Sequence, residues 1–385
     1  MSKNDFTREE FTSRAVRARA AIGAADLDWL LVIHPVSMRW LIGQDTKSYT
    51  IFQVLAVSAK PGPLILFTRG TDLNELASDT LADEIITYGG GEPADPMEFF
   101  AEFARKCGFL GARIGIEVPN FYLSVPHYLG VKKILGEALV SENNGLLGQL
   151  RSIKSPEEIN YTRKAADLSA RAFEALIAYV VEGRSELELA GAAYGSLLSN
   201  GSGIPHSTMN LMTGERSAFA LGGPTERRQR YGDTGLVEIG ANFRRYTSTL
   251  GRQWCLGNPS ARLREIYDVV REAGDACLAK LGPGVPAIVA HEAAKEVISK
   301  AGFDQYRMHT TGYGIAPGFP PSWGEGVNIF GGSKDVLKEN MIVSVEPNIF
   351  IASEGLGARI IDNVLITANG AELLSTTSRD LRVVR

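Results

Sequence analysis

The segment Ser155-Pro156-Glu157-Glu158 does most to constrain how this chain can fold. A Ser able to cap a helix precedes a Pro, whose missing N–H is harmless in a first turn, and two acids at the positive end of the helix dipole. From Ile159 the apolar residues recur at helical spacing to about Val181. A helix therefore starts at this point, and Arg151 to Lys154 reads as a bridge between two domains, 1–150 and 151–385. A chain of 385 residues has the length for two domains of ordinary size, each with its own core.

Before the bridge, the pattern predicts a helix over Arg8 to Ile22, strands at Trp29–Ile33, Val54–Ser58, Leu64–Thr68 and Arg113–Glu117, and helices over Asp95–Cys107 and Ser124–Leu135. Strands separated by helical spans describe a small α/β layer domain. After the bridge come helices over Glu186–Leu198, Ala261–Leu281 and Ala287–Ala301. Strands lie near Gly235–Ile239, Arg252–Leu256, Met341–Val345 and Asn363–Thr367. Early and late helix groups around antiparallel strand pairs give an α+β domain.

A formal net charge of -4 and no run of Lys and Arg leave no footprint for nucleic acid. The polar start, Met1 to Glu10, lacks the apolar core of a signal peptide, and no apolar stretch approaches membrane-spanning length, so a cytoplasmic protein with no membrane partner is expected. Cys107, Cys255 and Cys277 are too few and too far apart for a disulfide framework or a Cys-x-x-Cys metal pair. The glycine clusters at Gly89-Gly90-Gly91 and Gly331-Gly332 lack the strand-turn-helix setting of a phosphate loop and read as turns. A Gly-x-Ser-x-Gly nucleophile elbow is missing too.

Five positions carry the chemistry. Leu236-Val237-Glu238-Ile239-Gly240-Ala241, with Tyr246 to Arg252 after it, resembles the first carboxylate block of the prolidase, methionine aminopeptidase and creatinase superfamily. In the metallopeptidase members that block supplies two Asp ligands; Glu238 and Thr249 stand there in this chain. His309 to Ile315 resembles the superfamily's Gly-His-Gly-Ile-Gly turn, with Tyr313 in place of the metal-binding His. Glu346 in Val345-Glu346-Pro347 matches the fourth ligand, and Ile361 replaces the fifth. The resemblance covers the chain from Arg151 to the C-terminus and, more loosely, the N-terminal domain. It implies a pita-bread C-terminal domain behind a smaller α/β creatinase-type N-terminal domain, a homodimer, and a small-molecule substrate.

A pair of hard dications needs several anionic oxygens and a His, which two carboxylates do not supply. Neither a metal nor another cofactor is therefore expected. Phe319-Pro320-Pro321-Ser322-Trp323-Gly324-Glu325 resembles a Pro-Pro-x-Trp-Gly-Glu segment of ectoine hydrolases. Together these features point to the metal-free creatinase and ectoine hydrolase branch, although Gly222 stands where creatinase carries its active-site His, which argues against creatine cleavage.

The expected function is metal-independent hydrolysis of a C–N bond in a small nitrogen-rich solute: a cyclic amidine or amide, or a guanidino compound. Glu238 would activate water or attack the carbon directly, and Glu346 would protonate the leaving nitrogen, since two carboxylates in one pocket split their pKa values into an acid and a base. A buried Glu238 could also be tied to Arg252 or Arg359. His206 and His309 are further catalytic candidates. Tyr313 and Trp323 would wall the substrate, Glu325 and Arg359 would meet its charges, and Arg39 and Trp40 match a segment that reaches the partner subunit's pocket in related dimers. Two alternatives stay open: a prolidase-like metallopeptidase with a remodelled site, and a non-catalytic pita-bread binding protein.

Overall fold

The computed structural model describes residues 2–385, which divide into two compact units with the boundary between Arg151 and Ser152. The first unit is built on a six-stranded mixed sheet in the order Glu84–Tyr88, Ile65–Arg69, Val54–Ser58, Trp29–Val32, Ile114–Ile116, Leu139–Glu142. Its first helix, Arg8–Ala24, is capped by the Thr7 hydroxyl and buries Phe11, Arg14, Ala18 and Ile22, a spacing of three and four that puts them on one face. That face meets Leu30, Val32, Leu55 and Val57 of the sheet.

A short helix, Pro35–Ile42, is absent from the sequence reading because all eight of its residues are buried. A helix enclosed on every side shows no amphipathic period. His34 caps it, and Gly43 ends it in the left-handed conformation that glycine adopts without penalty. Arg39 and Trp40 sit on this helix. Arg39 pairs with Asp5 at 2.5 Å and Asp45 at 3.4 Å, and Trp40 is core, so both side chains are committed inside the N-terminal unit.

The second unit carries a nine-stranded sheet whose spine is a long hairpin, Thr234–Phe243 and Tyr246–Leu256, turned at Arg244 and Arg245 with φ of 53° and 71°. Nearly every residue of both strands is buried, so the sequence shows no alternation and only their most apolar parts read as strand. Helices Pro156–Ile177 and Glu186–Ser199 cover one half of the unit, packing on Val237, Ile239, Leu250 and Trp254. Helices Ala261–Leu278 and Ala287–Lys300 cover the other, over Val343, Val345, Ile349 and Val364. Two helix pairs, each with its own strands, make the expected pita-bread domain.

The helix at Pro156 begins as its sequence dictates: the Ser155 hydroxyl accepts the Glu158 N–H, and the Glu158 carboxylate accepts the Ser155 N–H. Ser155→Ala is expected to lower stability by about 1 kcal/mol, measured as a shifted denaturant midpoint at unchanged slope. All three cysteines are free, with Cys255 and Cys277 buried. No helix among the described residues is long and apolar enough to cross a membrane.

Candidate active site

Glu238 lies mid-strand in Thr234–Phe243, opposite Asn210 on one neighbouring strand and Gly251 on the other. Asn210 Nδ2 donates to Glu238 Oε2 at 2.8 Å. Gly251 has no side chain for a reason: a Cβ there would lie 2.7 Å from the Ile361 backbone nitrogen. Without it, the Gly251 and Ile361 backbones exchange two hydrogen bonds of 3.0 and 3.1 Å, which bring the segment around Arg359 against the hairpin.

Glu346 sits between strands Ile342–Val345 and Asn348–Ile351, and its backbone N–H donates to Thr311 at 2.7 Å. The Arg359 guanidinium lies between the two carboxylates, 2.6 Å from Glu346 Oε2 and 3.2 Å from Glu238 Oε2. All three side chains are almost wholly buried, at 4%, 0% and 2% exposure for Glu238, Glu346 and Arg359. Two anions and one cation leave the trio one negative charge in excess. His309 Nδ1 stands 3.6 Å from Glu346 Oε2, and Glu346 Oε1 is buried with no hydrogen-bond partner among the described residues.

A cavity of about 160 Å³ opens on this cluster, walled by Glu238, Arg359, Asn210, His309, Tyr313 and Trp323. Burial pushes the Glu238 carboxyl upward and nearby Glu346 adds to the shift, while Arg359 and Asn210 oppose it. Burial works against the Arg359 charge, but the facing Glu238 and Glu346 outweigh it and hold its pKa above the ordinary value. Burial, then Glu346 and Glu238, raise Tyr313, so its phenol stays protonated; its oxygen accepts the Trp323 indole N–H at 3.1 Å.

The cluster therefore gathers Glu238, Glu346, His309, Tyr313, Trp323 and Arg359 from the sequence reading, with Arg359 bridging the carboxylates rather than standing apart as a substrate anchor. His206 is not on the cavity wall: its Nδ1 bonds Thr247 Oγ1 at 3.0 Å and its ring packs on Gly318. Glu325 is not there either, because Lys154 holds it in a buried ion pair at 2.5 Å. Arg252, a possible partner for Glu238, pairs with Asp362 instead. Asn210 was missed; only the strand register that sets it across from Glu238 reveals it.

The donor set does not fit a pair of divalent cations. Thr249 is tied by two hydrogen bonds to Asn363, and Ile361 offers no donor atom. Tyr313 is a neutral phenol, and the remaining two carboxylates already face a guanidinium. No group of three or more His, Cys, Asp or Glu able to hold a metal occurs among the described residues.

Comparison with known proteins places the chain. Residues 160–368 match the model of metallopeptidase family M24, and residues 14–153 match that of the creatinase/prolidase N-terminal domain. An Xaa-Pro dipeptidase of Pyrococcus furiosus is 34% identical over 61% of this chain, and the aligned part spans 66% of that relative, just under two thirds. An Xaa-Pro dipeptidase of Pyrococcus horikoshii is 29% identical over 87% of this chain and 92% of its own length. Among solved structures, the Xaa-Pro dipeptidase from Bacillus anthracis superposes with a TM-score of 0.85 at 25% identity, covering 97% of this chain and 100% of that one. Dipeptidase PepE from Mycobacterium ulcerans gives 0.86 at 26% identity, covering 98% and 99%.

These relatives correct the sequence reading. They are dipeptidases, which overturns the expected hydrolysis of a non-peptide C–N bond and gives no support to a place in the metal-free ectoine hydrolase branch. The chain belongs to metallopeptidase family M24 and is a hydrolase of that family, with a creatinase/prolidase domain at its N-terminal side.

Proposed function

We propose that this chain is a dipeptidase of the prolidase kind with a remodelled site, hydrolysing the amide bond of a small dipeptide such as an Xaa-Pro. The observation that carries the reading is the buried Glu238–Arg359–Glu346 cluster, in which Glu238 and Glu346 stand at the family's ligand positions and Glu238 and Arg359 line a small cavity, in a chain resembling Xaa-Pro dipeptidases over most of its length.

Glu238, held by Asn210, takes a proton from a water as the water oxygen bonds the amide carbon. Negative charge then grows on the former carbonyl oxygen, where the Arg359 guanidinium and the Tyr313 O–H line the same cavity and can stabilise it. The proton held by Glu238 passes to the amide nitrogen, the C–N bond breaks, and an amino acid leaves with its amine. His309, beside Glu346, stands on the cavity wall where it can hand on that proton.

The test is an assay of the purified chain on a panel of Xaa-Pro and other dipeptides, with Mn²⁺ or Co²⁺ added and after chelation, following release of free amino acids. Release of proline from an Xaa-Pro dipeptide is the expected result. Failure to cleave any dipeptide under either condition overturns the reading. We extend the proposal to a twofold dimer in solution, expected as a dimer mass by sedimentation at micromolar concentration.

A further inference from the structure

Glu186 opens the helix Glu186–Ser199 and is wholly buried, yet it is not on the cavity wall. An acidic side chain so enclosed needs donors for both its oxygens. Its Oε1 accepts the N–H and the hydroxyl of Thr213, at 2.8 and 3.0 Å, and its Oε2 accepts those of Thr225, at 2.9 and 2.8 Å. The first N–H groups of the helix, which have no partner within it, point to the same stretch: Glu186 N–H donates to the Arg227 carbonyl at 3.0 Å and Leu187 N–H to that of Thr225 at 3.1 Å. Thr213 ends the strand Asn210–Thr213, and Thr225 lies where the chain returns, so one carboxylate closes the loop 213–225 at its base. Arg216 braces this loop, with Nε 3.4 Å from Glu186 Oε1 and Nη2 donating to the Gly223 carbonyl at 2.7 Å. The far part of the loop meets the carboxylate cluster. Leu221 lines the cavity, the Ala220 carbonyl accepts from Arg359 Nη1 at 3.3 Å, and Gly222 N–H donates to Asn210 Oδ1 at 3.1 Å. That last bond decides which way the Asn210 amide faces: with Oδ1 taken by an N–H, Nδ2 is the end turned to Glu238, where it donates at 2.8 Å. A flipped amide would set its oxygen against the carboxylate.

We propose that Glu186 is a positioning residue for the reaction, holding the loop 213–225 so that Gly222 locks the Asn210 amide on Glu238. The proposal rests on the dipeptidase reading, in which Glu238 takes the proton from water. The effect of Glu186 passes through the loop and Asn210, since Asn210 and Leu221 line the cavity and Glu186 does not.

The experiment measures kcat and KM for Ala-Pro on the full chain, in wild type, Glu186→Gln, Asn210→Leu and the double variant, each shown to be folded by circular dichroism at the assay temperature. Glu186→Gln puts an amide NH2 where one threonine N–H and hydroxyl need an acceptor, so it opens one side of the clamp. Each single variant should lower kcat about tenfold or more with KM changed less than about threefold, the mark of a misplaced catalytic group. Because both changes act through the same amide, the double variant should be no more than about threefold slower than Asn210→Leu alone. Effects that multiply, or a kcat within about threefold of wild type in either single variant, overturn the proposal and leave the dipeptidase reading intact. If Glu186→Gln does not fold, Thr225→Val and Thr225→Ser replace it. The valine lacks the hydroxyl that Glu186 accepts and should lower kcat, the serine keeps it and should restore kcat, and equal kcat in the two overturns the proposal. If wild type cleaves no dipeptide, the dipeptidase reading falls, and the clamp is followed by residue-resolved hydrogen exchange at the Gly222 amide. Protection lower by about tenfold or more in Glu186→Gln, or in Thr225→Val, upholds the hold on Asn210, and unchanged protection overturns it.

Discussion

Replacing Arg359 by Met is expected to lower the free energy of unfolding by about 3–5 kcal/mol at pH 8, the loss typical when one partner is removed from a buried ion pair. The geometry explains the size. Among the described residues, Arg359 is the only Lys or Arg in direct contact with two carboxylates, Glu238 and Glu346, that have almost no exposure to water. Without it the pair must stay charged in a poorly hydrated place or take up protons. Burial already raises the Glu238 pKa and Arg359 opposes that rise, so losing Arg359 lifts it further above the unfolded value and the variant's deficit grows as pH rises through and above the ordinary carboxylate range, about 4. Near pH 4 the variant should approach wild type. Arg359→Lys should recover part of the stability, since an ammonium supplies the charge but not a fork able to meet both acids. Urea unfolding at several pH values measures all of this. A deficit below about 1 kcal/mol at pH 8 would show that the carboxylates do not depend on Arg359.

How far the sequence could be read depends on where each signal resides. The helix at Pro156 is written in its own cap, and the helix at Arg8 in a face of Phe11, Ala18 and Ile22. Pro35–Ile42 and the long central hairpin are buried on every side, so they carry no period to read. At the site, the identity of the residues at the five family positions was legible, because each motif is local. The pairings were not. Lys154 finds Glu325 across 171 residues, and Asn210 meets Glu238 only through strand register. The missing ligands at Thr249, Tyr313 and Ile361 describe which chemistry is disfavoured; they do not name the bond to be cut. The sequence reading carried that loss over to a branch of the superfamily, and likeness over most of the chain to Xaa-Pro dipeptidases corrected it.

Glu238→Gln is expected to reduce hydrolysis at least about a hundredfold, the range for loss of a general base. The same change should leave stability within about 1 kcal/mol of wild type, or raise it. In wild type the cluster buries two carboxylates against one guanidinium. The glutamine removes the surplus charge and leaves a neutral Arg359–Glu346 pair, while its amide oxygen can still accept the Asn210 N–H now given to Glu238. Activity and stability thus move independently, which separates a catalytic role from a structural one. The pH profile adds a second readout. Burial, aided by Glu346, raises the Glu238 pKa, so the base is protonated at a pH where an ordinary carboxylate is already charged. Wild-type kcat/KM should therefore climb with pH through a limb lying above the ordinary carboxylate range, and the residual activity of the variant should lack that limb. Glu346→Gln should also be severe, and a double variant scarcely worse than either single one would show that the two acids act as a unit. A folded Glu238→Gln protein with near-normal turnover on a dipeptide that wild type cleaves would move the base elsewhere in the cavity.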